Sequence, residues 1–294
     1  MASSGDAGRR RTQLVRLLDA ASTRLTHAGV ESARLDAELM LARAAETSRV
    51  AIIAAPPEIS AAAAERFDAM LTRRAAREPL AYILGSKEFY SLEFEVTPAV
   101  LIPRPETEIL VAAALEFAQD RPDARVLDIG TGSGAIAVAI AAGAPRTSVV
   151  AADMEDDALA VARRNVGRHH VAGRVEPRLA DIFEPLDGGD ALGDFDLIVS
   201  NPPYVETSAI ESLPPEVRDF EPPAALFSGT DALECYRRIA AGACEHLKRD
   251  GAVMLESGLG QAEAVSGLLR EAGLHVTRVI NDLAGIPRVV TARV

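Results

Sequence analysis

The stretch Val126-Leu127-Asp128-Ile129-Gly130-Thr131-Gly132-Ser133-Gly134, followed by an apolar run from Ala135, constrains the fold more than any other part of the chain. It reads as an apolar strand, a tight glycine turn and the helix that the turn feeds. From Arg125 onward strand and helix signals alternate. Strands are expected at 126–129, 149–152, 176–179, 195–200, 252–256, 275–280 and 288–294, with helices from Gly134, from Asp156, around Cys235 to Leu247 and from Gln261. Such alternation implies an α/β fold with a mostly parallel, seven-stranded sheet covered by helices on both faces. The last two strands have no helix between them, so they form a hairpin and place an antiparallel strand in the sheet.

Ahead of that alternation the pattern differs. From about Thr12 to Arg77 apolar residues fall at helical spacing: Leu14, Leu17, Leu18, Ala21 and Leu25, then Leu35, Ala37, Leu39, Met40 and Leu41, then Ala63, Phe67, Met70 and Leu71 beyond the Pro56-Pro57 break. This is a small helical bundle in which no residue looks catalytic. Between Lys87 and Val100 the spacing of Phe89, Tyr90, Leu92, Phe94 and Val96 reads as a strand pair. Pro103-Arg104-Pro105 is a stiff connector, because each proline fixes its own φ and pushes its predecessor toward extended geometry. Glu106-Thr107-Glu108 then opens a helix over 109–118, with acids that complement its dipole. The expected organisation is a helical domain over 1–85, a β-hairpin connector over 86–105 and an α/β domain over 106–294.

Length and charge narrow the class further. A chain of 294 residues suits one large and one smaller domain, and its 48% hydrophobic and 25% charged residues can bury a core. No apolar run reaches the roughly 18 to 20 residues of a spanning helix, and the start MASSGDAGRRR has no apolar stretch behind it. A cytoplasmic protein without membrane contact is expected. The net charge of −12 divides into +2 up to Gly85 and −14 beyond it. Proteins that bind duplex nucleic acid present a basic face, so direct nucleic-acid binding is not expected. Arg9, Arg10 and Arg11 read as solvated surface. Cys235 and Cys244 read as small buried residues on one helix. His169 and His170, near a helix end, lack a third ligand at metal spacing, so no metal site is expected.

Two places carry chemistry. The glycines of the first turn let the backbone bend sharply and approach a ligand, and Asp153, nineteen residues after Gly134 at the end of the next strand, is placed to bind a ribose diol. With Ala135 as the third small residue the segment also satisfies the dinucleotide fingerprint, so alone it leaves a nicotinamide cofactor and S-adenosylmethionine both open. The second place is Ile198-Val199-Ser200-Asn201-Pro202-Pro203-Tyr204. Ligands bind at the carboxyl ends of parallel strands, so this segment faces the same cleft. Two prolines remove two N–H donors and hold the backbone rigid, leaving the Asn201 side chain and the Pro202 carbonyl as fixed polar groups. Two fixed acceptors would grip both hydrogens of an amide or exocyclic amine and aim its nitrogen at an activated methyl. Tyr204 would flank the group by stacking.

This combination resembles the class I methyltransferases that act on planar nitrogens, among them DNA adenine methyltransferases and protein glutamine N5-methyltransferases. Along almost its whole length the chain is similar to the release-factor glutamine methyltransferase family. The matching segments are PLAYILG (79–85), Phe89 within GSKEFYSLEFEV, VLIPRPETE (100–108), the Gly-rich turn, Asn-Pro-Pro-Tyr, FEPPAALFSGTDAL (220–233) and DLAGIPRVVTAR (282–293). The Arg-Pro-Glu-Thr-Glu sequence separates it from the sister ribosomal-protein glutamine methyltransferases, which share the quartet.

The resemblance implies a Rossmann-like methyltransferase domain with S-adenosylmethionine as cofactor. Gly130, Thr131, Gly132, Ser133 and Gly134 would cradle its methionine moiety, Asp153 its ribose, and Asp181 and Ile182 its adenine. Asn201 would touch both ligands, and Asn201, Pro202, Pro203 and Tyr204 would bind the substrate amide, with Asn201 and Pro202 catalytic. Arg104 and Glu106 would line the cleft, Phe220-Glu221-Pro222 would belong to a substrate-side loop, and the helical domain would contact the protein substrate. The implied reaction methylates the side-chain amide nitrogen of the glutamine in the Gly-Gly-Gln motif of bacterial class 1 peptide chain release factors. A monomer is expected, and positioning outweighs general-base catalysis because the sulfonium is already a good leaving group. The rivals are a ribosomal-protein glutamine methyltransferase, a DNA adenine N6-methyltransferase, an NAD oxidoreductase and a non-catalytic binding module. The DNA enzyme would want a basic groove that the acidic part of the chain does not offer.

Overall fold

The structure, a computed structural model, describes residues 4–55, 57–186 and 188–294, with side chains from Arg10 onward apart from these gaps. The first three residues of the polar start, the Arg9 side chain and Pro56 of the Pro56-Pro57 break lie outside the described residues. No described helix is long and apolar enough to cross a membrane. The chain separates into two compact units: the helices that end at Gly85 together with Pro214–Phe220, and Ser86–Leu213 together with Glu221–Val294.

The first unit contains helices Ser4–His27, Ala33–Ala44, Arg49–Ala54, Ala61–Ala75 and Leu80–Leu84. Ser48 and Ser60 cap two of them, their hydroxyl oxygens accepting from the Ala51 and Ala63 amides at 3.1 and 3.2 Å. Leu14, Leu18, Leu25, Met40, Leu41 and Phe67 form its core. Leu35, counted among the apolar stripe, is instead 43% exposed, because it lies two residues, about 200° of helical turn, from Ala37. Among these helices lies a polar network that sequence spacing did not reveal. The buried Arg74 guanidinium donates to Asp36 at 2.7 Å and to Glu216 at 3.1 Å. Arg77 makes a two-pronged pair with the same Glu216, at 2.8 and 2.6 Å. Glu216 sits on the short helix Pro215–Arg218, so ion pairs tie this late segment of the chain to helices near its beginning.

The second unit opens with a strand pair, β1 (Ser86–Phe89) and β2 (Leu92–Glu95), antiparallel and joined by Tyr90-Ser91. Both turn residues have positive φ, 50° and 60°, which suits a tight hairpin but strains residues with a Cβ. Two carboxylates hold the turn: Glu108 accepts from the Tyr90 amide and Glu88 from the Ser91 amide, each at 2.8 Å. The main sheet contains β3 (Arg125–Ile129), β4 (Ser148–Asp153), β5 (Val175–Asp181), β6 (Glu184–Pro185), β7 (Phe195–Ser200), β8 (Leu247–Glu256), β9 (His275–Asn281) and β10 (Pro287–Arg293), in the order β6-β5-β4-β3-β7-β8-β10-β9. All seven expected strands are present. The eighth is the two-residue β6, which pairs antiparallel with the end of β5 and is too short to leave a periodic signal. The closing β9–β10 hairpin is antiparallel, as expected, with β10 inserted between β8 and β9.

Helices Glu108–Asp120, Ala135–Gly143 and Asp156–Arg168 contribute to one apolar core and Glu234–His246 and Ala262–Glu271 to a second. The two cysteines depart from expectation. Both lie on Glu234–His246, but Cys235 is half-buried and Cys244 exposed, because nine residues along a helix place them half a turn apart. His169 ends the preceding helix and its Nε2 lies 3.0 Å from the Glu93 carbonyl.

The sheet order positions the site. The chain leaves β3, builds β4 and β5 on one side, then returns to place β7 on the other, so β3 stands at the topological switch point. Ile129 of β3 is paired with Ser200 of β7, which brings the residues that follow, Gly130 and Asn201, to one end of the sheet. Asn165, fully buried on Asp156–Arg168, buttresses that end. Its Nδ2 donates to the carbonyls of Ser133 and Glu95, at 2.8 and 3.0 Å, and its Oδ1 accepts from the Glu95 amide at 2.8 Å. One side chain thus joins the Gly-rich turn to the strand pair. Asn165→Ala leaves buried backbone groups unpaired and is expected to cost roughly 2–4 kcal/mol of stability, read by urea unfolding of the full chain; a loss below about 0.5 kcal/mol would contradict this role.

Candidate active site

A cavity of about 340 Å³ opens at the carboxyl ends of β3, β4, β5 and β7, and Gly130, Gly132, Asp153, Asp181, Ile182 and Asn201 line it. A smaller cavity of about 50 Å³ adjoins, bordered by Arg104, Thr107, Thr131, Ser133 and again Gly130, Gly132 and Asn201. Asn201 therefore borders both.

The turn after β3 has its shape for a steric reason. Gly130 and Gly134 have φ of 70° and 79°, a region costly for residues with a Cβ. At Gly134 a Cβ would also meet the Ala162 Cβ at 3.3 Å. Gly134 lines neither cavity; it sits at the start of helix Ala135–Gly143 and lets that helix pack closely. The amides of Gly130 and Thr131 both donate to the Ala152 carbonyl at 2.9 Å. Asp128, wholly buried, accepts from the Thr131 hydroxyl at 2.6 Å and the Ala137 amide at 3.2 Å through one oxygen. Its other oxygen has no partner among the described residues. Burial, aided by the Asp153 charge and opposed by the Thr131 and Ala137 hydrogen bonds, pushes the Asp128 carboxyl up to about 7.

Asp153 closes β4 on the cavity wall. Its carboxylate accepts from the Gly132 amide at 2.8 Å and the Glu155 amide at 3.0 Å. Burial raises its pKa against those bonds, and each oxygen retains a lone pair for a further donor. Asp181 and Ile182 follow at the end of β5. Asp181 accepts from Arg238 at 2.8 Å, and Arg238, which sequence reading passed over, also lines the cavity. Ile182 is buried with φ of 59°. A β-branched residue in that conformation stores on the order of 1–3 kcal/mol of strain, a feature that concentrates at ligand sites.

On the other side of the switch point, the Ser200 hydroxyl donates to the Ile129 carbonyl at 2.8 Å. Asn201 Nδ2 donates to the Thr107 hydroxyl oxygen at 3.2 Å, while Asn201 Oδ1 is buried without a partner among the described residues. Pro202 is buried, Pro203 borders the larger cavity, and the bonds preceding both are trans. Tyr204 borders neither cavity. It packs on the apolar core, burial raises its pKa, and its carbonyl accepts from Gln261 at 3.2 Å. The side chain is thus a prop behind the turn in this conformation, rather than a stacking surface.

Further polar groups gather behind Asn201. Glu256 ends β8 and is buried; burial pushes its carboxyl up to about 7, helped by Glu106 and opposed by the Thr107 hydroxyl and by Arg288 and Arg104. Arg104 pairs with the buried Glu221 at 2.5 Å, and Glu221 also accepts from the Ile102 amide at 3.3 Å. Ser228, on the larger cavity's wall, has a buried hydroxyl without a partner among the described residues. Glu256, Thr107 and Ser228 were not singled out from sequence. The signal for Glu256 was present, as an acid ending an apolar strand at the carboxyl edge of a parallel sheet.

The donors and acceptors suit S-adenosylmethionine: a turn with open backbone, a carboxylate at the end of β4, and an unpartnered buried hydroxyl on Ser228 at the larger cavity's wall. Sheet order and site together define a class I methyltransferase domain, and the family model of the methyltransferase small domain matches residues 107–213. The model of the PrmC N-terminal domain matches residues 16–85. The release factor glutamine methyltransferase of Geobacter sulfurreducens is 45% identical over 95% of this chain and 96% of its own length. That of Cereibacter sphaeroides is 43% identical over 94% and 96%. The chain belongs to the release factor glutamine methyltransferase family. A solved methyltransferase from Pyrococcus furiosus shares the fold, with a TM-score of 0.50 and 19% identity over 77% of this chain and 96% of that one.

The raised Asp128 pKa has a consequence for stability. Between about pH 4 and 7 the folded chain holds a proton there that the unfolded chain has released, so stability falls as pH rises through that window. The loss is complete above about pH 7 and is on the order of 4 kcal/mol. Asp128→Asn removes the titration, so urea unfolding at pH 5 and pH 8 is expected to show a shallower decline than wild type; parallel declines would refute the assignment.

Proposed function

We propose that this enzyme transfers the methyl group of S-adenosylmethionine to the side-chain amide nitrogen of the glutamine in the Gly-Gly-Gln motif of bacterial class 1 release factors. One observation carries the reading: Asn201, directly after β7, borders both cavities with a buried acceptor oxygen that nothing described satisfies. Such an acceptor suits the N–H of a planar amide. Family membership names the substrate class of the relatives.

In this mechanism Gly130, Thr131, Gly132 and Ser133 hold the methionine end of the cofactor, Asp153 the ribose, and Asp181 and Ile182 border the adenine. The bound cofactor supplies a sulfonium methyl and a neutral leaving group. Asn201 Oδ1 and the Pro202 carbonyl accept the two N–H groups of the glutamine amide, which orients its nitrogen toward the methyl. A C–N bond forms as the methyl–sulfur bond breaks, and the amide proton leaves to water. Orientation is the main contribution of the protein, because fixing two reactants in a near-attack geometry removes several kcal/mol of entropic barrier. Pro202 and Pro203 serve it by holding the acceptors rigid. The helical unit, with its ion-paired Pro214–Phe220 segment, takes part in recognising the release factor, and the enzyme acts in the cytoplasm as a monomer.

The test is transfer of labelled methyl with release factor, ribosomal protein and DNA offered in parallel. Label is expected on the release-factor glutamine. Asn201→Ala should lower kcat by about a hundredfold or more while changing cofactor affinity less than about threefold. Label confined to ribosomal protein or DNA would overturn the reading.

A further inference from the structure

The turn that carries Asp181 and Ile182 is gripped by one stripe of a helix. β5 ends at Asp181, which is paired with Glu184 of β6, so Ile182-Phe183 closes a two-residue turn. Ile182 holds a positive φ of 59° there, a conformation that a β-branched residue keeps only when its surroundings impose it. Helix Glu234–His246 holds both neighbours of Ile182, through Arg238, Gly242 and His246, which are spaced four apart and therefore share one face. Arg238 donates to Asp181 Oδ2 at 2.8 Å. At Gly242 a Cβ would meet two ring carbons of Phe183 at 2.5 Å, so the ring lies directly on the helix backbone. His246 stacks on the same ring, with centroids 4.4 Å apart and planes 8° from parallel. Arg238, Asp181 and Ile182 all line the larger cavity.

We propose that Arg238 is a positioning residue that sets the base specificity of the cofactor site. With Gly242 and His246 it fixes the β5–β6 turn so that Asp181 offers the cavity a carboxylate acceptor, which selects a 6-aminopurine over a 6-oxopurine. The guanidinium engages Oδ2, and the carboxylate keeps lone pairs for a further donor. An ionised carboxylate can only accept. An amino group supplies the N–H it needs, whereas a carbonyl oxygen in the same place sets lone pair against lone pair. Asp153, Glu155 and Glu234 also line the cavity, so loss of the cation would leave Asp181 among like charges and free to turn away from them. The Arg238 side chain is 47% and that of Asp181 33% exposed, so the pair adds little to fold stability and its removal leaves the fold intact.

The inference rests on the reading that this cavity holds the cofactor with its adenine at Asp181. Titration calorimetry of the full chain with S-adenosylhomocysteine and S-inosylhomocysteine, which differ only at the 6-position and N1 of the purine, separates the two. Wild type is expected to prefer the adenosyl compound at least tenfold. Arg238→Met should lower affinity for the adenosyl compound at least fivefold and for the inosyl compound less than twofold. Arg238→Lys, which keeps the cation, should bind the adenosyl compound within threefold of wild type. Gly242→Ala, which forces the Phe183 ring off the helix, should lower the preference at least threefold. Added to Asp181→Asn, Arg238→Met should cost no more than a further twofold, because it acts through that carboxylate. An unchanged preference in Arg238→Met or Gly242→Ala, equal losses for both compounds, or additive losses in the double variant would overturn the proposal, as would a wild type that binds both compounds alike. A wild type that binds neither would overturn the cofactor reading instead.

Discussion

The pairing of β3 with β7 is the constraint on which the rest of the site depends. Residues 71 apart in sequence are held in parallel register, with Ile129 beside Ser200 and the Ser200 hydroxyl bonded to the Ile129 carbonyl at 2.8 Å. Both strands are buried on both faces, so a slip of one residue would exchange the faces of every side chain and displace Asp128 and Ser200 from their partners. The two turns that carry the chemistry, at Gly130 and Asn201, inherit their adjacency from this pairing. The same logic extends outward: β8 in register with β7 brings Glu256 alongside, and β4 in register with β3 brings Asp153 to the Gly132 amide.

Around that junction the protein buries several polar groups, among them Asp128, Thr131, Ser133, Ser200 and Glu256. Asp128, Asn201, Ser228 and Glu256 each hold a buried oxygen without a partner among the described residues, and each such group costs on the order of 1–3 kcal/mol; Asn201 and Ser228 border the cavities, where a ligand can satisfy them. Ile182 adds backbone strain at the cavity wall. The compensation lies in the surrounding framework: fully apolar layers on both faces of the sheet, and side chains such as Asn165 and Glu221 that satisfy several backbone or charged groups at once. A rigid frame with an unsatisfied centre is what a positioning enzyme requires.

Much of this was legible in the residues. The seven expected strands and the closing hairpin stand where the residue pattern placed them; the central strands β3, β4, β7 and β8, largely buried, leave near-continuous apolar runs. Gly130, Gly132, Asp153, Asp181, Ile182, Asn201 and Pro203 meet around one cavity. Other features were hidden for physical reasons. Strand β6 is two residues long. Cys244 is exposed because helical phase, and not residue type, decides which side of a helix is buried. Gly134 serves packing, and Tyr204 supports the turn from behind, since both roles depend on the neighbours that other elements deliver.

Sequence by itself determined the local grammar of this protein: a strand that ends in glycines, a strand that ends in Asn-Pro-Pro-Tyr, an acid closing the strand between, and a helical bundle ahead of them. Those follow from side-chain shape and backbone freedom over a few residues. Only the tertiary structure decided which side chains face one another across long separations. Thr107 and Asn201 lie 94 residues apart, and nothing in their spacing joins them. The fold does, through the bond from Asn201 Nδ2 to the Thr107 hydroxyl oxygen at 3.2 Å.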